Sequence, residues 1–301
     1  MAIGQPSLDH LRIFLAVVDE GSFNRAAQKL GRAISVVSYA IASLEAQLAV
    51  TLFDREGSRR PRLTDDGRAL LAEARAVTDD IDALIAKVRG LHQGLESELS
   101  LAVDVMLPGC VLGAVLREFQ RLYPTVTLRL HVEALGAVAA LVLDGRAQLG
   151  VGGPVIVDDP LLDRQIMGAV TLIPVAAPTH PLARMDTIPP GAVRKHLQLV
   201  LTDRSPLTEG RDFSVSSARS WRLADLGAKH TLLREGIGWG NMSRLAVADD
   251  LAAGRLVELA LPEAGRVDYT LSALWRRDAT LGPATCWLLD AIGEELQGLV
   301  G

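Results

Sequence analysis

Residues 22–48 read SFNRAAQKLGRAISVVSYAIASLEAQL, and the fold of the N-terminal part of the chain turns on them. Ser22 is a capping residue type and Gly31 a stop, so 22–31 predict a short first helix. Ala26 and Ala27 supply small side chains where a second helix would cross closely. Beyond Gly31, Val37, Ile41, Leu44 and Leu48 recur at steps of four, three and four and predict the core face of a second helix. Its other face carries Ser35, Ser38, Tyr39 and Ala42. No Lys or Arg lies between Ala33 and Phe53, whereas Arg25, Lys29 and Arg32 precede the stretch and Arg55, Arg59, Arg60 and Arg62 follow it. Two short helices across a glycine turn form a helix-turn-helix, whose second helix enters the major groove. Small hydroxyls and methyls approach base edges closely, while flanking arginines suit phosphates. An ordinary surface helix pair with a basic loop is the alternative at this point.

Working outward, SLDHLRIFLAVVDEG predicts a preceding helix: Ser7 caps it, Leu8, Leu11, Leu15 and Val18 keep its period, and Gly21 ends it. Downstream, FDREGSRRPRLT is turn-rich and basic, as a phosphate-gripping wing would be. Candidate DNA contacts are therefore Ser22, Asn24, Arg25 and Arg32, then Ile34, Ser35, Ser38 and Tyr39, then Arg55, Arg59, Arg60 and Arg62. The formal charge of −5 discourages a nucleic-acid partner until it is divided. Residues 1–64 hold eight Lys/Arg against six Asp/Glu, which leaves −7 for the remainder.

Thr64, followed by Asp65 and Asp66, starts a long helix. Leu70, Ala74, Val77, Ile81, Leu84, Val88 and Leu91 then alternate at steps of four and three, a coiled-coil seam. Leu70, Val77, Ile81, Leu84, Val88 and Leu91 are the candidate dimerisation residues; a helix packed on its own chain is the alternative. A dimer sets two DNA heads over two half-sites. The polar stretch HQGLESE, 92–98, marks a domain boundary.

From 99 onward apolar strands alternate with helices: LSLAVDVM, then GCVLGAVLREFQRLYP, VTLRLHVEA, GAVAALVLDGR and AQLGVGG. A second α/β group runs from AVTLIPVAAPTHPLA to RLVELAL, and YTLSALWRR with a helix over 283–298 closes the chain. The alternation predicts α/β architecture around a mainly parallel sheet. Ligands of such sheets sit beyond the carboxyl ends of strands. That selects Val105, Met106, Leu107 and Pro108; Ala134 and Leu135; Gly152 and Gly153; Thr202 and Asp203; and Trp239 and Asn241 as candidate effector residues.

Several motifs occur in order over about sixty-five residues: the Phe-x-x-Val helix, GSFxxAA, LExxL, LFxR and LTxxG. On these the N-terminal part resembles the winged helix-turn-helix of the LysR-type transcriptional regulators. The later α/β region resembles their effector domain, two α/β subdomains like those of periplasmic solute-binding proteins with a cleft between. The resemblance implies a winged helix-turn-helix over 1–65, a linker helix over 66–93 and an effector domain over 94–301. Subdomain I would take about 94–168 and 269–301, and subdomain II about 169–268. It implies double-stranded DNA, a small-molecule effector and RNA polymerase as partners, assembly as a homodimer or homotetramer, and no enzymatic activity or cofactor.

This sequence departs from the family where recognition is made. The family commonly reads Ser-Gln-Pro at the start of the recognition helix, with Arg four residues after the Pro; here stand Ala33, Ile34, Ser35 and Tyr39. Ser35 is expected to replace the lost capping hydroxyl by starting the helix later. Ile34 makes no bidentate adenine contact as Gln does. Either the operator differs from those of relatives, or DNA shape and phosphate contacts carry more of the recognition. Many members also hold Ser or Thr in the first effector loop to bind a carboxylate. Val105, Met106 and Leu107 stand there instead, favouring an apolar or aromatic effector, or weak anion binding; the alternative is that Met106 and Leu107 simply cap the core.

An α/β enzyme or solute-binding protein with an incidental helical N-terminus is the rival reading, but neither needs a basic wing joined to a heptad helix. GIGWGN lacks the spacing and the acidic residue of a dinucleotide loop, and no GxSxG or HExxH occurs. Cys110 and Cys286 stand apart with no metal-ligand spacing. The N-terminus shows no export signal and no segment offers about twenty uninterrupted apolar residues, so no membrane partner and a cytoplasmic location are expected.

Overall fold

The computed structural model describes residues 4–54, 61–92, 94–154, 159–211, 213–262 and 265–299. The chain divides into two compact units, Met1–Arg89 and Gly90–Gly301.

The first unit begins with α1 (Leu8–Glu20), capped by the Ser7 hydroxyl, which accepts the His10 N–H at 3.2 Å. Gly21, at φ 57°, turns the chain into α2 (Phe23–Leu30), and Gly31 ends that helix in the same left-handed conformation. Both turns need positive φ, which glycine adopts at no steric cost. α3 (Ile34–Leu48) starts two residues earlier than a Ser35 cap would place it: Ala33 occupies the N-cap and no side chain caps it. The cause lies in the turn. Arg32 N–H bonds the Ala27 carbonyl at 2.9 Å, and the Ala33 carbonyl already accepts from Val36 at 3.0 Å, too early for Ser35 to cap.

Phe14, Val17, Val37, Leu44 and Leu52 are fully buried between the three helices, and the Phe53 ring stands edge-on to Phe14 and Phe23 at 5.6 Å each. Phe53 opens β1 (Phe53–Asp54), antiparallel to β2 (Arg62–Leu63). Two motif positions acquire physical reasons here. The Glu45 carboxylate accepts the N–H groups of Leu52 and Phe53 at 2.7 and 3.3 Å, fixing the exit from α3. Thr64 caps α4 (Asp65–His92) by accepting the Gly67 N–H at 3.0 Å. A Cβ at Gly67 would meet the Leu52 carbonyl oxygen at 2.3 Å, so only glycine lets the helix close on the wing.

In the second unit the elements run β3 (Glu98–Asp104), α5 (Gly109–Leu122), β4 (Thr127–Glu133), α6 (Gly136–Leu143), β5 (Leu149–Gly152) and β6 (Leu162–Ala176). They continue with β7 (Gln198–Leu201), β8 (Ser220–Leu223), α7 (Leu226–Arg234), β9 (Trp239–Ser243), α8 (Ala248–Ala252), β10 (Val257–Glu258), β11 (Val267–Arg276) and α9 (Pro283–Gly298). Among the described residues they form one sheet in the order β4-β3-β5-β11-β6-β9-β7-β8, with β10 beside β6.

The sheet is mixed rather than mainly parallel. β3 runs parallel to β4 and β5, and β7 parallel to β8 and β9, each joined by a crossover connection, through an α-helix in every case but β7 to β8. Between these groups the chain leaves along β6 and returns along β11, so the two long strands pair antiparallel from Leu162↔Arg276 to Leu172↔Val267. They join two lobes. In the first, Leu101 and Val103 face a core with α5 and α9, while Ala102, on the opposite face of the pleat, meets α6. In the second, Val175 packs in a core with Leu199 and Leu233 of α7, and Ala176 points the other way, into a core containing Trp239.

Candidate DNA-binding face and effector cavity

α3 has two unlike sides. Val37, Ala40, Ile41 and Leu44 are buried, as their spacing predicts. Ile34, Ser35, Ser38 and Tyr39 are exposed, and Tyr39 is 75% accessible, the most exposed large apolar side chain of the described residues. A ring of that size left in water contributes nothing to the core.

The basic rim behaves less uniformly. Arg32 forms a two-pronged ion pair with Asp9, at 2.6 and 2.8 Å, and Lys29 pairs with Glu20 at 2.8 Å. Arg25 donates to the Glu20 carbonyl. These three thus brace α2 against α1 in the free chain, a role that the charge pattern did not disclose. Ser22 is the α2 cap, Asn24 is exposed beside it, and Arg62 is exposed on β2. Arg55, Arg59 and Arg60 lie outside the described residues.

The heptad seam of α4 divides along its length. Leu70 and Ala74 pack against the core of α1–α3, and Arg12–Asp82 and Arg75–Asp19 ion pairs at 2.5 and 2.9 Å tie the same stretch to α1. Leu70 is thereby used by its own chain. Beyond it, Val77, Leu84, Val88 and Leu91 are exposed, Leu84 by 56%, and Ile81 is half-buried.

In the second unit, β3 ends at a buried carboxylate, Asp104. It accepts the Met106 N–H at 2.8 Å, the Leu135 N–H at 3.3 Å and the Tyr269 hydroxyl at 2.9 Å, and the Gly153 backbone also bonds it. Burial nevertheless pushes its pKa up to about 6. Burial and the Asp104 charge together raise that of Tyr269. Gly153 is required here, because a Cβ would meet the Tyr269 oxygen at 2.0 Å. Leu135, which also bonds Asp104, holds φ at 51°, a left-handed value costly for a branched side chain.

Beside this node lies a cavity of about 190 Å³, walled by Leu172, Leu199, Leu201, Met106, Leu135 and Tyr269, with Phe213 at one side. Lys229 and Asn241 also line it. Lys229 is only 3% exposed and donates from Nζ to the Asn241 carbonyl at 2.7 Å. No carboxylate offsets its charge among the described residues, and burial alone pulls its pKa down to about 8. Asn241 Oδ1 is buried without a hydrogen-bond partner.

Of the candidate effector residues, Met106, Leu135 and Asn241 line this cavity. Leu107 and Ala134 are buried in the neighbouring core, Pro108 precedes α5, and Val105 is half-buried, its N–H on the Glu133 carbonyl at 2.8 Å. Gly152 packs under Leu274, and Gly153 serves Asp104 through its backbone. Thr202 and Asp203 line a different, polar hollow of about 500 Å³ with Arg204 and Arg222. Trp239 is turned wholly into the core with Leu182, Ile188 and Leu259, because the register of β9 points it away from the α7 side. No motif in the sequence marks Asp104, Tyr269 or Lys229 as site residues. One signal for Lys229 was legible: it stands at the stripe position between Leu226 and Leu233, where α7 otherwise places leucine.

Comparison with known proteins bears on both units. Residues 8–68 match the family described as "Bacterial regulatory helix-turn-helix protein, lysR family", and residues 92–297 match "LysR substrate binding domain". The chain is 26% identical to the HTH-type transcriptional regulator AceR of Acinetobacter baumannii over 290 residues, covering 94% of this chain and 95% of that one. Among solved structures, the OxyR C206 mutant of Corynebacterium glutamicum aligns with a TM-score of 0.53 at 19% identity, over 98% of this chain and 95% of the other. Full-length LysG of the same organism, with bound effector Arg, aligns at 0.50 and 20% identity over 96% and 98%. At such identities these two structures speak for the fold. Among the described residues, no helix is long and apolar enough to cross a membrane.

Proposed function

Because the chain belongs to the LysR family of DNA-binding transcriptional regulators, we propose that it reads its operator with the uncharged face of α3 and answers to a small molecule held in the cavity beside Asp104. The observation that carries the DNA contact is the exposure of Tyr39, Ser35 and Ser38 on a helix whose opposite side is buried. Hydroxyls and an aromatic edge can meet bases in the major groove, while Arg62 and the basic residues between β1 and β2 grip phosphates. Arg25 and Arg32 reach phosphates by exchanging partners: their present contacts, to the Glu20 carbonyl and to Asp9, are exposed and solvent-screened.

Pairing of two copies through Val77, Ile81, Leu84, Val88 and Leu91 would put two heads on one operator, as a dimer or as half of a tetramer. Residues 1–65 form the DNA head in this reading, 66–93 the linking helix and 94–301 the effector domain, with RNA polymerase as a further partner in the cytoplasm. LysG supports the small-molecule half, since its bound effector is arginine. The experiment is a mobility shift of the purified chain with DNA flanking its own gene at rising salt. Retardation that weakens steeply with salt is expected; no salt-sensitive retardation of any such fragment would overturn the proposal.

A further inference from the structure

Lys229 is a charge without a counterpart. It reaches the cavity wall from α7, is almost wholly buried, and its one hydrogen bond goes to a backbone carbonyl rather than to an acid. Burying an ammonium in apolar surroundings is expensive unless something pairs with it. Nothing in the packing asks for the charge, since Leu233 fills the neighbouring stripe position of the same helix with hydrocarbon. The wall is mostly apolar, with Gln198, Ser214, Asn241 and Tyr269 among its polar side chains and one carboxylate, that of the exposed Asp268, which makes no ion pair with Lys229. The buried Asn241 amide, its Oδ1 without a partner, can turn Nδ2 to donate to an anion.

We infer that the cavity takes a small organic acid, its carboxylate paired with the Lys229 ammonium and its apolar body against Leu172, Leu199 and Leu201. The volume limits the body. A cavity of about 150 Å³ lined by apolar side chains admits benzene, so about 190 Å³ suits one ring or a short chain plus the acid group. The anion is thus recognised from the second lobe, while the first loop provides only Met106 to the wall. An acid bridging Lys229 and the first-loop side of the cavity contacts both lobes, the geometry a switch requires. This deepens the effector reading above and rests on it.

The test is calorimetric titration of the full-length protein with benzoate and hexanoate, each against its neutral amide, benzamide and hexanamide. At least one acid is expected to bind one site per chain tenfold or more tighter than its amide, the usual gain of a hydrogen bond to a charged group. Lys229→Met, confirmed folded by its circular dichroism melt, is expected to lose that preference. Equal affinity for acid and amide overturns the inference, as does a preference that survives in Lys229→Met or the absence of saturable binding by either acid. If the variant does not fold, the acid–amide contrast in the unmodified chain decides alone. Salt-sensitive DNA binding by the same preparation tells the two readings apart: if it persists while the acids fail, the ligand assignment falls and the regulator stands.

Discussion

The Tyr269 hydroxyl reaches Asp104 Oδ2 at 2.9 Å across 165 positions of sequence. The bond joins the strand that returns from the second lobe to the mouth of the first. It also orders the cavity, because the same carboxylate holds the backbone of Met106 and of Leu135, which line it. Polar groups buried in this way are satisfied as a set, and disturbing one member is felt by the others.

Asp104 makes the second unit pH-sensitive. Its folded pKa, about 6, lies above the ordinary value near 3.9, so the folded state holds the proton more tightly. Stability is therefore favoured at low pH and falls as pH rises between those values, by about 3 kcal/mol in all. Asp104→Asn removes the titration. The difference in unfolding free energy between the unmodified chain and the variant should shrink by about 2 kcal/mol of that from pH 4 to pH 7. All four tryptophans, Trp221, Trp239, Trp275 and Trp287, lie in the second unit, so urea titration followed by their fluorescence reads this unit alone.

Gly153→Ala should displace Tyr269. Its Cβ would overlap the phenol oxygen, and overpacking of a tight site costs about 1–3 kcal/mol. Tyr269→Phe loses the bond but keeps the space and should cost less. A larger loss in Tyr269→Phe than in Gly153→Ala, measured by the same fluorescence, would contradict this account.

The division of α4 predicts two classes of variant. Ala74→Glu places a charge in the core of the first unit and should unfold it. Leu84→Glu with Val88→Glu alters exposed side chains, so the chain should stay folded but sediment as a monomer and bind DNA more weakly. An intact dimer with unchanged affinity would remove the coiled-coil role of these positions.

At the DNA face, Tyr39→Ala should change the order of preference among operator variants, since that ring stands over the bases in the proposed contact. Arg62→Ala should weaken binding on all of them alike and lower the salt slope by about one. Arg32→Ala should do less than Arg62→Ala, because Asp9 already holds Arg32. Competition mobility shifts on a randomised operator separate the three outcomes.

The first unit was legible because its signals are local. Ser7, Ser22 and Thr64 cap helices within three residues of themselves, and Gly21 and Gly31 end them by conformation alone. The one local misreading, Ser35 as a cap, failed because the turn before α3 is set by a backbone bond from Arg32 to Ala27. The second unit kept its helices and strands but not its sheet, since the antiparallel pairing of β6 and β11 depends on a return path over many residues. The cavity was the least legible. It is assembled from strands in register, and Lys229 enters it from a helix far along the chain from Met106. The apolar first loop invited an apolar or weakly bound ligand, whereas the charge opposite it comes from the other lobe.

Lys229 itself supplies the last test. Burial holds its pKa near 8, against about 10.4 for the same side chain in water. The folded state thus binds this proton less tightly than the unfolded chain. The destabilisation is fully present below pH 8 and is relieved as pH rises from there toward 10.4, about 3 kcal/mol over the whole span. Lys229→Met keeps the volume and discards the charge, so at pH 7 the variant should unfold at higher urea than the unmodified chain, and the gap should close above pH 9. An acid that pairs with Lys229 should narrow the same gap at neutral pH, by stabilising the unmodified chain and not the variant. If Lys229→Met were less stable at pH 7, the ammonium would already be compensated within the fold, and the need for an external anion would disappear.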